Sequence, residues 1–159
     1  VLEKFGATRA RKWGEVVSLD LKVEGKVVFS FQIADRSAQI EPSTLLPWVD
    51  VDLDSFVDLV ANKMVALVER GAPRDFRDIQ ALCRGGLTTA TECWLLWRQR
   101  QEKAGSDIDP RRARLAVETH LARIAQHRPL GEIQDREQRA AAEQVRAWFL
   151  SEFLDALLD

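Results

Sequence analysis

Two amphipathic helices meeting at Gly71-Ala72-Pro73 constrain this chain most strongly, because the packing face of the first one carries charge. Phe56, Val60, Lys63, Leu67 and Arg70 recur at spacings of four, three, four and three, which sets them along one helical face. Leu59, Met64 and Val68 widen that apolar stripe. Gly71 suits a left-handed helix end and Pro73 the first turn of a new helix. The second helix opens with Arg74, Asp75 and Asp78, which can gather at its N-terminal end, and turns Phe76, Ile79, Leu82 and Cys83 to the core. Lys63, Arg70, Arg74, Asp75 and Asp78, three cations and two carboxylates, thus gather around one helix break within the sixteen residues 63–78. Charge on apolar surface is costly unless it is paired or binds something. The pattern specifies either an ion-pair network stapling two helices or one wall of an anionic-ligand site.

Around this corner the chain reads as α+β and mostly helical. Val16 to Val23 and Val27 to Ile33 alternate about the turn Glu24-Gly25-Lys26, giving a hairpin over about 15–34. A loop punctuated by Pro42 and Pro47 follows, then helices at about 53–70, 73–84, 89–103, 110–127 and 134–158. Thr89 with Glu92 writes a capping box, and Asp109-Pro110 an N-cap with proline at the first helical position. That makes Gly105-Ser106-Asp107-Ile108-Asp109 a helix start, although it spells an Asp-x-Asp. Trp94 and Trp97 on one helix, and Val145, Trp148, Phe149 and Phe153 on the last, are expected core, partly shared with any absent half of the domain.

A length of 159 residues with 46% hydrophobic and 30% charged side chains suits one domain with a full core, or one domain and a helical extension. No apolar run is long enough to span a bilayer, and no secretory leader is visible. Cys83 and Cys93 lack partner spacing and are expected as free thiols in a reducing, cytoplasmic compartment. His120 and His127 lie on one helix face without ligand-spaced partners, as surface or groove residues. The net charge of −2 excludes a globally basic nucleic-acid binder. Residues 98–146 are nevertheless Arg-rich and could meet RNA phosphates where the cations cluster. Glu102, Glu118, Glu132, Glu137 and Glu143 interleave with them, however, and a mixed solvated face is the commoner outcome of such a pattern.

The run Asn62-Lys63-x-x-Ala66-Leu67-x-x-Arg70-x-x-x-Arg74-Asp75-Phe76-x-Asp78 resembles the second signature of the AbiEii/AbiGii-type toxin nucleotidyltransferases, within the DNA-polymerase-beta-like superfamily. The resemblance implies a hairpin from a nucleotidyltransferase-like sheet in residues 1–50, then a bundle of about five helices in 51–159 that carries the signature. It implies magnesium, a nucleoside triphosphate, an acceptor such as RNA and an antitoxin partner. By the same resemblance Lys63 would be catalytic and bind phosphate, and Arg70 and Arg74 would either bind phosphate or orient the acidic pair. Asp75 and Asp78 would hold those cations.

Active members of that family place a Gly-Gly or Gly-Ser turn before an Asp-x-Asp strand, and nothing before residue 50 fits this. The chain, which starts at Val1, is read either as a fragment whose upstream half lies elsewhere or as a degenerate homologue. Asp20 is the candidate third carboxylate, catalytic and metal-binding; its other reading is a solvent-facing residue on an edge hairpin. If the second strand holds the equivalent position, Gln32 stands where an aspartate is expected, and a neutral amide is a poor metal ligand. The competing class is a non-enzymatic helical interaction module in which the same charges form a structural network.

Overall fold

The computed structural model describes residues 8–13, 16–34, 38–48 and 52–157. Two compact units, Val1–Ser37 and Ala38–Asp159, make up the chain.

In the first unit the alternating segments pair as expected and gain a third strand. β1 (Thr8–Trp13), β2 (Val16–Val23) and β3 (Lys26–Ala34) form an antiparallel sheet in that order. Glu24 and Gly25 turn the hairpin with φ of +50° and +77°, the left-handed pair that matches strand twist. Because β1 covers the far side of β2, the edge-hairpin reading of Asp20 is overturned. Asp20 lies on the central strand, opposite Arg9 on β1 and Ser30 on β3, and is buried together with Ser18. Gln32 pairs opposite Ser18, and its side chain lies outside the described residues.

The second unit is helical. Within the proline-punctuated loop, β4 (Thr44–Leu45) and β5 (Asp52–Leu53) make a two-residue ladder. Five helices follow: α1 (Phe56–Glu69), α2 (Pro73–Arg84), α3 (Ala90–Lys103), α4 (Pro110–His127) and α5 (Arg136–Trp148). Local chemistry fixes their starts. Ser55 accepts from the Asp58 N–H at 3.0 Å, and Thr89 and Glu92 exchange bonds of 3.1 and 2.8 Å. Asp109 accepts from the Arg111 N–H at 2.9 Å, so the Asp-x-Asp at 107–109 is a helix cap.

Within this unit α1 packs against α2, α3 and α4, and α5 against α2. Val60, Met64 and Leu67 meet Phe76, Ile79, Trp94, Trp97, Val117, Trp148, Phe149 and Phe153 in one core. Trp94 Nε1 donates to the Phe153 carbonyl at 3.0 Å, so a large ring is buried without stranding its polar tip. Past Trp148 the helix widens to a π turn at Phe149–Phe153, closed by the Leu154 N–H on the Phe149 carbonyl at 3.1 Å. Both phenylalanines there are buried, their rings 4.7 Å apart.

One expectation about α1 is corrected. Its buried stripe is Val60, Ala61, Met64 and Leu67, while Phe56 and Leu59 are exposed. Lys63 and Arg70 stand at the margin of that stripe, where their stems cover apolar surface and their charged heads reach water.

Candidate functional site

The α1–α2 corner is built around a carboxylate with no exposed surface. Asp75 is the third residue of α2, and its Oδ2 accepts from the Ala72 N–H at 3.0 Å, satisfying a donor that helix formation leaves open. Both its oxygens also accept from Arg70, Oδ2 from Nε and Oδ1 from Nη2, each at 3.0 Å. A planar guanidinium suits this two-point geometry. Burial pushes the Asp75 carboxyl upward, but the Arg70 and Ala72 hydrogen bonds and the charges of Arg70 and Arg74 outweigh it and hold the group below its usual value. The hydrogen bond to Asp75 raises Arg70 in turn. Arg74 stands 3.9 Å from Asp75 and is largely exposed.

The second pair is open to solvent. Lys63 Nζ donates to Asp78 Oδ2 at 2.5 Å, with 45% and 40% of the two side chains exposed. Asp78 therefore reaches back across the corner to α1, rather than joining Arg74 and Asp75 at the start of its own helix.

Helix α4 locks the same corner from behind. His120 Nε2 donates to the Val68 carbonyl at 3.0 Å, and Arg123 Nη2 to the Arg70 carbonyl at 2.7 Å. Val68 lies in the last turn of α1 and Arg70 caps it, at the end where the helix dipole favours cations. Gly71 has φ +51°, and a Cβ there would fall 2.3 Å from His120 Cγ. Other arginines of the basic region serve chain ends likewise: Arg114 donates to the Leu154 carbonyl, Arg139 to Ile133 and Arg146 to Arg128.

Asp20 lies in the other unit. Its Oδ2 accepts from Arg11 Nη2 at 2.7 Å and its Oδ1 from the Ser30 hydroxyl at 2.5 Å, so both oxygens are engaged across the sheet. Among the described residues, no three His, Cys, Asp or Glu side chains gather as metal ligands. Among the described residues Asp20 stands without further carboxylates around it and is already bridged to a guanidinium, which is too few hard oxygen donors to fit a magnesium ion.

Sequence reasoning missed Asp58, which is buried in the first turn of α1. It accepts from the Ile40 N–H at 2.8 Å, the Glu41 N–H at 3.0 Å and the Ser55 hydroxyl at 3.0 Å, pinning the incoming loop to the helix. The spacing Ser55-x-x-Asp58 was the available signal. Near the corner, a cavity of about 470 Å³ has an apolar floor including Ile124 and Val145 and is edged by Arg77, His127, Arg128 and Arg146.

Among the described residues, no helix is long and apolar enough to cross a membrane. No curated protein and no solved structure matches the chain. A family model described as the nucleotidyl transferase AbiEii toxin of a type IV TA system matches residues 5–159, across both the sheet and the helical unit. The chain belongs to the AbiEii nucleotidyl transferase toxin family.

Proposed function

We propose that the α1–α2 corner is the phosphate-binding wall of a nucleotidyltransferase site, which takes a nucleoside triphosphate and transfers its nucleotide to an acceptor such as RNA. One observation carries this reading: the corner splits its charges into a buried clamp and an open pair. Asp75 is fully consumed in fixing Arg70 and the start of α2. Lys63 is paired with Asp78 at a half-exposed position, with no second carboxylate on it among the described residues. A solvent-exposed pair is worth about 0–1 kcal/mol, so an incoming phosphate can displace the carboxylate at small cost. Lys63 then supplies a compact mobile charge to the triphosphate, and the exposed Arg74 a second cation. Arg70, held by Asp75, positions the helix end rather than seeking phosphate itself.

Acceptor RNA would approach the basic rim formed by Arg77, Arg128 and Arg146, where phosphates meet cations beside apolar surface. A cognate antitoxin is the expected protein partner, from the family's TA-system description. A second reading, phosphate binding without transfer, draws support from Asp20, whose oxygens are held by Arg11 and Ser30.

Calorimetric titration with each nucleoside triphosphate, paired with mass spectrometry of the products, tests the proposal. Lys63→Ala should weaken nucleotide binding at least about tenfold, the loss of one charge-assisted contact of 1.4 kcal/mol or more, while the thermal midpoint barely moves. Unchanged affinity, or a large drop in midpoint, overturns the assignment of Lys63. Binding without any product supports the second reading.

A further inference from the structure

We propose that Cys83 and Cys93 are an oxidisable thiol pair that closes to an intramolecular disulfide across the α2–α3 turn when it meets hydrogen peroxide. The two residues are ten apart in sequence and sit on different helices, yet their Sγ atoms are 3.9 Å apart. Cys83 is in the last turn of α2 and Cys93 in the first turn of α3. A disulfide needs about 2.05 Å between sulfurs, so closure asks for an approach of roughly 2 Å. The connecting turn can yield: Gly86 has φ +69°, and nothing lies within 4 Å of where its Cβ would be.

The two thiols are unequally placed. Cys83 is half-buried and lines a cavity of about 330 Å³ with Arg84, Thr88 and Trp148, through which a small oxidant can reach it. Cys93 is fully buried, with the Thr88 hydroxyl 3.9 Å from its sulfur. The hydrogen bond from Cys93 lowers the Cys83 thiol, and donating that bond, together with burial, pushes Cys93 up. The accessible sulfur is thus the better nucleophile, and the buried one is placed to resolve it.

The chemistry balances. Cys83 thiolate attacks one peroxide oxygen, the O–O bond breaks, and a sulfenic acid and hydroxide form, the hydroxide leaving as water with the proton lost by Cys83. Cys93 sulfur then attacks the Cys83 sulfur and displaces the sulfenic hydroxyl, which leaves as a second water with the Cys93 proton. Two thiols are oxidised and one peroxide is reduced to two waters. The inference is independent of the nucleotide reading.

The test is peroxide treatment of the folded chain, followed by intact-mass and non-reducing peptide analysis. The expected result is a loss of about 2 Da, a Cys83–Cys93 cross-link and full recovery with dithiothreitol. Cys93→Ser should instead accumulate a dimedone-trappable sulfenic acid at Cys83, and Cys83→Ser should be inert. Because Cys93 is a core residue, the wild-type chain supplies a second measure: cross-linking should be at least about tenfold faster folded than in guanidinium, as fixed proximity predicts. A disulfide between two chains, oxidation of Cys83 with Cys93 still alkylatable after unfolding, equal rates folded and unfolded, or a reactive Cys83→Ser variant would each overturn the proposal.

Discussion

Asp75 has no exposed surface, whereas Asp78, three residues on, keeps 40% of its side chain in solvent. That difference decides what each is worth. Asp75 serves Arg70 twice and the Ala72 N–H once, and an asparagine there would turn an amide donor toward groups that can only donate. Asp75→Asn should therefore cost about 2–3 kcal/mol in urea unfolding, below the range for fully buried pairs because half-exposed Arg70 can rehydrate. Asp78→Asn should cost under about 1 kcal/mol. Equal losses at the two positions would show that the corner is one network, and the division into clamp and open pair would fail.

At the scale of elements, helix starts were legible because their signals are local: Thr89 with Glu92 and Asp109 with Pro110 each act within four residues. The corner was legible for the same reason, since Gly71 and Pro73 mark the break from either side. What stayed hidden depends on which elements meet. Asp20 is buried because β1 pairs with β2, and Cys83 finds Cys93 because the turn between them brings the end of α2 to the start of α3. The arginines read as a surface for RNA turn out partly engaged with helix-end carbonyls, which no charge count reveals. Gly71 shows both layers: its φ of +51° was foreseeable, but the His120 ring against it was not. Gly71→Ala should cost about 3 kcal/mol or more, combining left-handed strain with the clash. His120 Cβ would itself lie 2.4 Å from the new methyl, so only a His120→Gly background clears the space, and there the same change should cost about 1 kcal/mol, the strain alone. Equal costs in the two backgrounds would remove the ring contact as the reason for glycine.

For the whole molecule, α1 is the axis of the helical unit, and a buried carboxylate pins each of its ends. Asp58 ties the first turn to Ile40 and Glu41; Asp75 holds Arg70 just past the last. Burial works against ionisation of Asp58, but the Ile40 and Glu41 N–H groups, the Ser55 hydroxyl and the Arg100 charge outweigh it, leaving the carboxyl below the ordinary aspartate value of 3.8. Asp75 is lowered in the same way. The unfolded chain therefore takes up protons first on acidification. The stability from these two groups is fully present above about pH 5 and is lost as pH falls through 3.8 toward the folded values. Urea midpoints should be flat in this respect from pH 7 to about 5, then fall, with up to about 1.4 kcal/mol per pH unit from each carboxylate. Asp58→Asn lowers the plateau, but the informative quantity is the slope, which should become shallower by one proton's share below about pH 4. A variant whose curve runs parallel to wild type would mean that acid unfolds this chain through other carboxylates, and that the N-terminal pin of α1 plays no part in it.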